Sequence, residues 1–154
     1  MKFWALLIVT LAVCGCSLAP TPPTDEQMIH AFEAHRDVFE HLVSMACKAH
    51  YTVVSMGPEW SNPTDIPSST KQQYYKLFKI IGVKQLQSYG GCRAQLSVWS
   101  VGLAGSGDYK DYQYRPEQVE NPVASLDNLK LNDKITFYFR KIAPNWYIRY
   151  AHWP

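Results

Sequence analysis

The sequence predicts an α+β domain, with a mostly antiparallel sheet of four to five strands packed against two helices. Three observations predict it. Apolar residues recur at spacings of three and four across 24–49 and again across 68–82, the period of amphipathic helices. From Cys92 onward the period drops to two, as in half-buried strands. Turn-forming residues separate those strands at short intervals, which suits antiparallel pairing.

The first helix opens at Thr24-Asp25-Glu26-Gln27. Thr24 can cap it, Gln27 can return the bond, and the two acids suit the positive end of the helix dipole. It is expected to run to about Ala49, with an apolar stripe of Met28, Phe32, His35, Phe39, Leu42, Val43 and Ala46 that packs on a sheet. Tyr51–Ser55 reads as a short strand. Met56–Pro67 reads as a long loop punctuated by Pro58, Pro63 and Pro67. Loops of that length often carry function, and Trp60 within it is either a contact residue or a ring folded back over the core. The second helix begins near Ser68-Ser69-Thr70 and ends at Gly82, a residue suited to a left-handed C-terminal position. Its buried face is Tyr74, Leu77, Phe78 and Ile81.

In the strand region Leu96, Val98 and Ser100 alternate with Ser97, Trp99 and Val101. Gly105–Asp108 supplies a turn, and Tyr109–Tyr114 returns with Tyr112 and Tyr114 on one face. Arg115–Asn132 is a connection with room for a short helical turn near Val123–Leu129. Ile135–Ile142 is the strongest strand, Ala143-Pro144-Asn145 a hairpin turn, and Trp146–Trp153 the last strand.

Ahead of the domain lies Met1-Lys2 and then an apolar run, Phe3–Val13. The run is shorter than the roughly 20 residues that cross a bilayer. It has the length and flanks of a signal-peptide core. It ends in Leu11-Ala12-Val13-Cys14-Gly15-Cys16, which resembles the lipobox of bacterial lipoproteins. Val13 and Gly15 fit the places before Cys16, whereas Cys14 would follow the bulky Val13. Cys14 inside the box departs from the usual pattern. The resemblance implies that residues 1–15 are a removed signal peptide and that Cys16 carries acyl chains into the lipid bilayer. Each buried methylene contributes about 0.8 kcal/mol, and stable anchoring takes more than one chain. Ser17 after the cysteine implies the periplasmic face of the outer membrane. Residues 16–23, with Pro20, Pro22 and Pro23, form a short extended tether, and residues 24–154 form a single periplasmic domain.

The 154 residues suit one domain. With 15 basic and 13 acidic residues the chain has no concentrated basic face for nucleic acid. Ten tyrosines, six phenylalanines and five tryptophans indicate a packed strand-rich domain or a binding surface. With Cys16 acylated, Cys47 and Cys92 remain, and two thiols in an oxidising compartment read as one disulfide.

No catalytic constellation emerges. His30, Asp37 and His41 fall near one helical face, which reads as a solvated polar face, so neither metal nor cofactor is expected. There is no Gly-x-Ser-x-Gly elbow. The glycines at 102, 105 and 107 precede no Lys-Ser/Thr and read as a turn. Among Glu59, Asp65, Asp108, Asp111 and Glu117 no spacing selects a pair for glycan cleavage. The chain is therefore expected not to be an enzyme. What remains is a set of residue types enriched at binding hot spots: Trp60, Trp99, Tyr109, Tyr112, Tyr114, Arg140 and Arg149. The same side chains could equally be cross-strand pairs that stabilise the sheet.

Several stretches carry a wider likeness: Phe32-x-x-His35-Arg36-x-x-Phe39-Glu40-x-Leu42, Tyr75-x-Leu77-Phe78-x-x-x-Gly82-Val83, Trp99-Ser100-x-Gly102 with Gly105-Ser106-Gly107, Ser125-Leu126-Asp127 and Asn145-Trp146-Tyr147. In these the chain resembles small uncharacterised lipoproteins of Gram-negative bacteria. The resemblance implies no activity. The expected function is a non-catalytic module that binds another envelope protein, as an accessory or as an immunity or inhibitor protein. The alternative is a small envelope hydrolase or ligand carrier with a pocket between sheet and helices.

Overall fold

A computed structural model describes residues 21–49, 53–57, 59–103 and 106–154. The expected signal peptide (residues 1–15), the expected lipidation site Cys16 and the first part of the expected tether lie outside the described residues.

The chain forms three helices and one antiparallel sheet of seven strands among the described residues. The elements are α1 (Asp25–Ala34), α2 (Arg36–Ala49), β1 (Val53–Met56), β2 (Glu59–Asn62), α3 (Ser68–Ile81), β3 (Gln85–Tyr89), β4 (Arg93–Leu103), β5 (Ser106–Tyr114), β6 (Thr136–Ala143) and β7 (Trp146–Trp153). The sheet order is β2-β1-β3-β4-β5-β7-β6. The α+β class and the antiparallel sheet stand as expected from sequence. The strand and helix counts do not, and each difference has a local cause.

The expected single helix breaks at His35 (φ −132°, ψ 31°). The Val38 and Phe39 N–H groups both donate to the His35 carbonyl, which starts a new helix. Phe32 and Phe39, one on each side of the break, both pack against the Trp146 ring, at 5.2 and 5.6 Å between centroids. The expected loop Met56–Pro67 contains β2, which pairs with β1 from Val53↔Asn62 to Met56↔Glu59. The missed strand β3 has a single aliphatic residue, Leu86, paired with Val54 and Leu96. The 115–132 connection holds no helix. It reaches the outer edge of β6, where Val123 N–H donates to Phe139 O at 2.9 Å and covers part of the edge.

Other expectations hold. Thr24 Oγ1 accepts from Gln27 N–H (3.2 Å) and Gln27 Oε1 from Thr24 N–H (2.8 Å), a closed capping box. Gly82 ends α3 in the left-handed region at φ 68°. Asn145 takes φ 64° in the β6–β7 turn. The expected turn at Gly105–Asp108 is corrected: Ser106, Gly107 and Asp108 already belong to β5, where Gly107 faces Gly102 of β4, with φ 148° and 129°, and a side chain at either would collide with backbone. Cys47 and Cys92 form a disulfide with Cα atoms 4.9 Å apart.

All three helices lie on one face of the sheet. Between them sits an aromatic core in which Phe39 stands 4.7 Å from Tyr112 and Phe32 stands 5.1 Å from Phe39. Tyr114 is 5.0 Å from Trp146. Leu42, Val54, Phe78, Leu86, Leu96 and Ile148 complete the layer. The pairing register puts Val54, Leu86, Leu96, Tyr112, Ile148 and Arg140 in one row on this face. A bulge between Ser97 and Trp99 changes the alternation in β4. Strict period two would put Leu96 and Trp99 on opposite faces, but the extra residue turns both into the core.

Candidate functional site

The pairing register defines the opposite face as well. Its central row runs Trp60, Ser55, Gln85, Ser97, Asp111, Arg149 and Phe139 across all seven strands. No helix of the described residues packs there. Residues 116–120 cross one end of this face on their way to the β6 edge.

The floor of the face is a charged pair held by amides. Asp111 is about 1% exposed, and its Oδ2 meets Arg149 Nη2 at 2.6 Å. Gln95 Nε2 donates to Oδ2 at 3.1 Å and Gln113 Nε2 to Oδ1 at 2.7 Å. Tyr89 OH donates to Gln95 Oε1 at 3.1 Å and ties the wall to the floor. Burial pushes the Asp111 carboxyl up, and Arg149 and Gln113 offset this only in part. The Tyr89 phenol is likewise raised, first by burial.

Aromatic rings wall this floor. A cleft of about 390 Å³ is lined by Tyr89, Gln95, Tyr109, Phe137, Arg149, Ala151 and Trp153. A smaller one of about 190 Å³ adjoins it under residues 116–120, sharing Tyr89, Phe137 and Arg149. Arg149 lies over the Phe137 ring at 5.6 Å, and Phe137 meets Trp153 edge-on at 6.0 Å. Tyr89, Tyr109 and Trp153 are 42%, 38% and 38% exposed. Arg93 and Glu117 pair at the rim, 2.5 Å apart.

The candidates named from sequence divide between the faces. Tyr109, Arg149 and Trp60 belong to the helix-free face. Tyr109 and Arg149 meet in the cleft, while Trp60, 49% exposed, stands on the far edge strand. Trp99, Tyr112, Tyr114 and Arg140 turn to the helices, and as surface candidates they are corrected. Tyr112 is a core ring whose hydroxyl donates to Met28 O at 2.8 Å, and burial raises its phenol. Trp99 is 8% exposed and lies 6.4 Å from Tyr150. Tyr114 packs on Trp146. Arg140 Nη1 binds Asp25 Oδ2 at 2.8 Å. Tyr89, Gln95, Asp111, Phe137 and Trp153 were the cleft residues that sequence reasoning did not select. The alternation of β5 puts Asp111 on the face of Tyr109, but its pairing with Arg149 follows only from the strand order.

A second polar cluster lies on the helix side. Lys110, about 1% exposed, meets Asp25 Oδ1 at 2.8 Å and Asp127 Oδ1 at 3.0 Å, and donates to Pro23 O at 2.7 Å. The Asp25 contact is one of charge without hydrogen-bond alignment. Leu126 N–H donates to Asp25 Oδ2 at 2.7 Å. Burial pushes the Asp25 carboxyl up, but Lys110, Leu126 N–H and Arg140 together hold it below its ordinary value. This network clamps the start of α1 to the sheet and to residues 125–127.

His152 Nδ1 lies 2.7 Å from Asp108 Oδ1. Such a pair is the base half of a nucleophilic triad. Thr136, opposite His152, turns its hydroxyl to Lys134 O at 3.0 Å instead. Burial first, and then Asp108, push the Tyr150 phenol up to about 12. His30, Asp37 and His41 are exposed and divided between α1 and α2. No group of three or more potential ligands among the described residues is placed to hold a metal ion. Between sheet and helices, Phe32, Phe39, Tyr112 and Trp146 pack on one another.

No family model, curated protein or solved structure matches the chain.

Proposed function

We propose that this protein is a membrane-anchored envelope lipoprotein that binds another envelope protein, without catalysis, through the helix-free face of its sheet. One observation carries the reading: exposed Tyr89, Tyr109 and Trp153 surround a floor of Asp111 and Arg149 that is already held in place. Rigid aromatic anchors around a pre-set charged centre match the make-up of binding hot spots. The Asp111 oxygens are occupied by Arg149, Gln95 and Gln113, which supports recognition over proton transfer. The lipobox-like stretch ending at Cys16 supports the anchor, with Ser17 pointing to the outer membrane and the Cys47–Cys92 disulfide suiting an oxidising compartment. Accessory and immunity or inhibitor roles both fit such a module.

The experiment is capture from crosslinked envelopes with the acylated protein as bait. A defined protein should be recovered, and Tyr109→Ala combined with Trp153→Ala should reduce its recovery about tenfold or more, the scale of a hot-spot pair. Recovery that is unchanged by the double variant would move the binding surface elsewhere. Recovery of nothing above background would end the reading.

A further inference from the structure

The tether leaves the domain beside an apolar and basic loop. Lys110 Nζ fixes the Pro23 carbonyl at 2.7 Å. Thr21 and Pro22 line a groove together with Leu129, Leu131 and Tyr150. The path toward Cys16 therefore starts at loop 129–135. Leu131 and Ile135 of that loop are 41% and 55% exposed. Lys130 and Lys134 beside them are also exposed, against one exposed acid, Asp133. The loop has a built shape. Asn132 Oδ1 accepts from Lys134 N–H at 3.0 Å, and the Thr136 hydroxyl donates to Lys134 O at 3.0 Å. Such an Asx turn holds the backbone while the aliphatic side chains stay outward.

We propose that loop 129–135 is a membrane-contact surface, with Leu131 and Ile135 entering the headgroup region of the bilayer and Lys130 and Lys134 facing anionic lipid phosphates. The proposal rests on the acylation of Cys16. Covalent geometry then supplies the proximity. The five-residue step from Cys16 to Thr21 spans at most about 18 Å even when fully extended. The groove that Thr21 shares with Leu129 and Leu131 is thus confined to the bilayer surface, whatever else the domain binds. Exposed aliphatic residues next to lysines are the composition that interfacial contact favours, since apolar burial and attraction to anionic headgroups add. The clamp at Pro23 makes the orientation definite, because the tether cannot swing from another part of the domain.

The test uses the acylated full-length product, purified from membranes and reconstituted in vesicles of phosphatidylethanolamine and phosphatidylglycerol that carry headgroup spin-labelled lipid. A fluorophore is attached in one protein at Ile135→Cys and in another at Ile80→Cys, an exposed site on α3. Mass spectrometry of the N-terminal peptide reads the acylation separately. The expected result is acylated Cys16, loss of emission from the label at 135, and retained emission at 80. The 135 signal should recover in part when phosphatidylglycerol is replaced by phosphatidylcholine. Acylated Cys16 with equal emission at the two sites overturns the contact surface and leaves the anchor standing. An N-terminus without acyl chains overturns the anchor, and the contact surface with it.

Discussion

Asp25 and Lys110 meet as a buried ion pair, Oδ1 to Nζ at 2.8 Å, with each side chain about 1% exposed. Asp25 begins the first helix and Lys110 lies mid-sheet, so the pair fixes where the helical layer starts on the strands. Removing one member leaves the other charge buried. Lys110→Met should therefore lower unfolding stability by about 3 kcal/mol or more, the cost of an uncompensated buried charge. Urea unfolding followed by tryptophan fluorescence measures it. An unchanged midpoint would mean that Arg140 and Leu126 N–H suffice for Asp25.

The two buried carboxyls should respond to acid with opposite signs. The Asp25 carboxyl is held low in the fold, so its stabilising contribution is present above the ordinary carboxylate value and is lost as pH falls through the lower folded value. The Asp111 carboxyl is raised by burial, so its ionised form opposes folding at neutral pH and this cost is relieved as pH falls through the raised folded value. Asp25→Asn should be less stable than the parent at neutral pH, and Asp111→Asn more stable than the parent. Both differences should shrink in acid. Stability against pH for the three proteins decides it, and two differences of the same sign would contradict this account.

The Cys47–Cys92 disulfide ties the end of α2 to the turn before β4, across a sequence separation of 45 residues. A loop of that size typically contributes about 2–4 kcal/mol, largely by restricting the unfolded chain. Reduction, or Cys92→Ser, should lower the unfolding midpoint by a corresponding amount while leaving the far-ultraviolet circular dichroism of the folded protein unchanged.

The Tyr112 hydroxyl donates to Met28 O at 2.8 Å inside the core, while its ring packs on Phe39. These two roles separate by substitution. Tyr112→Phe should cost about 0.5–1.5 kcal/mol for the hydrogen bond. Tyr112→Ala should cost about 3–5 kcal/mol through the added cavity. Equal losses would assign the whole effect to the hydroxyl.

The sequence by itself determined the parts that depend on neighbours along the chain. The Thr24–Gln27 capping box, the left-handed Gly82, the Asn145 turn and the shared face of Tyr112 and Tyr114 all follow from local backbone geometry and period. Only the tertiary structure decided the rest. β2 and β3 are strands because β1 and β4 supply their hydrogen bonds, not because Glu59–Asn62 or Gln85–Tyr89 has a strong pattern. The helix breaks at His35, and the segments on its two sides meet Trp146 of the last strand through Phe32 and Phe39. The bulge at Ser97–Trp99 reverses which side of β4 is buried, so period alone could not separate core aromatics from cleft aromatics. Lys110 and Asp111, adjacent in sequence, go to opposite faces and meet acids and bases from distant segments. Local propensity acts through a few bonds, whereas strand order and register bring remote residues together, and the cleft is a product of that register.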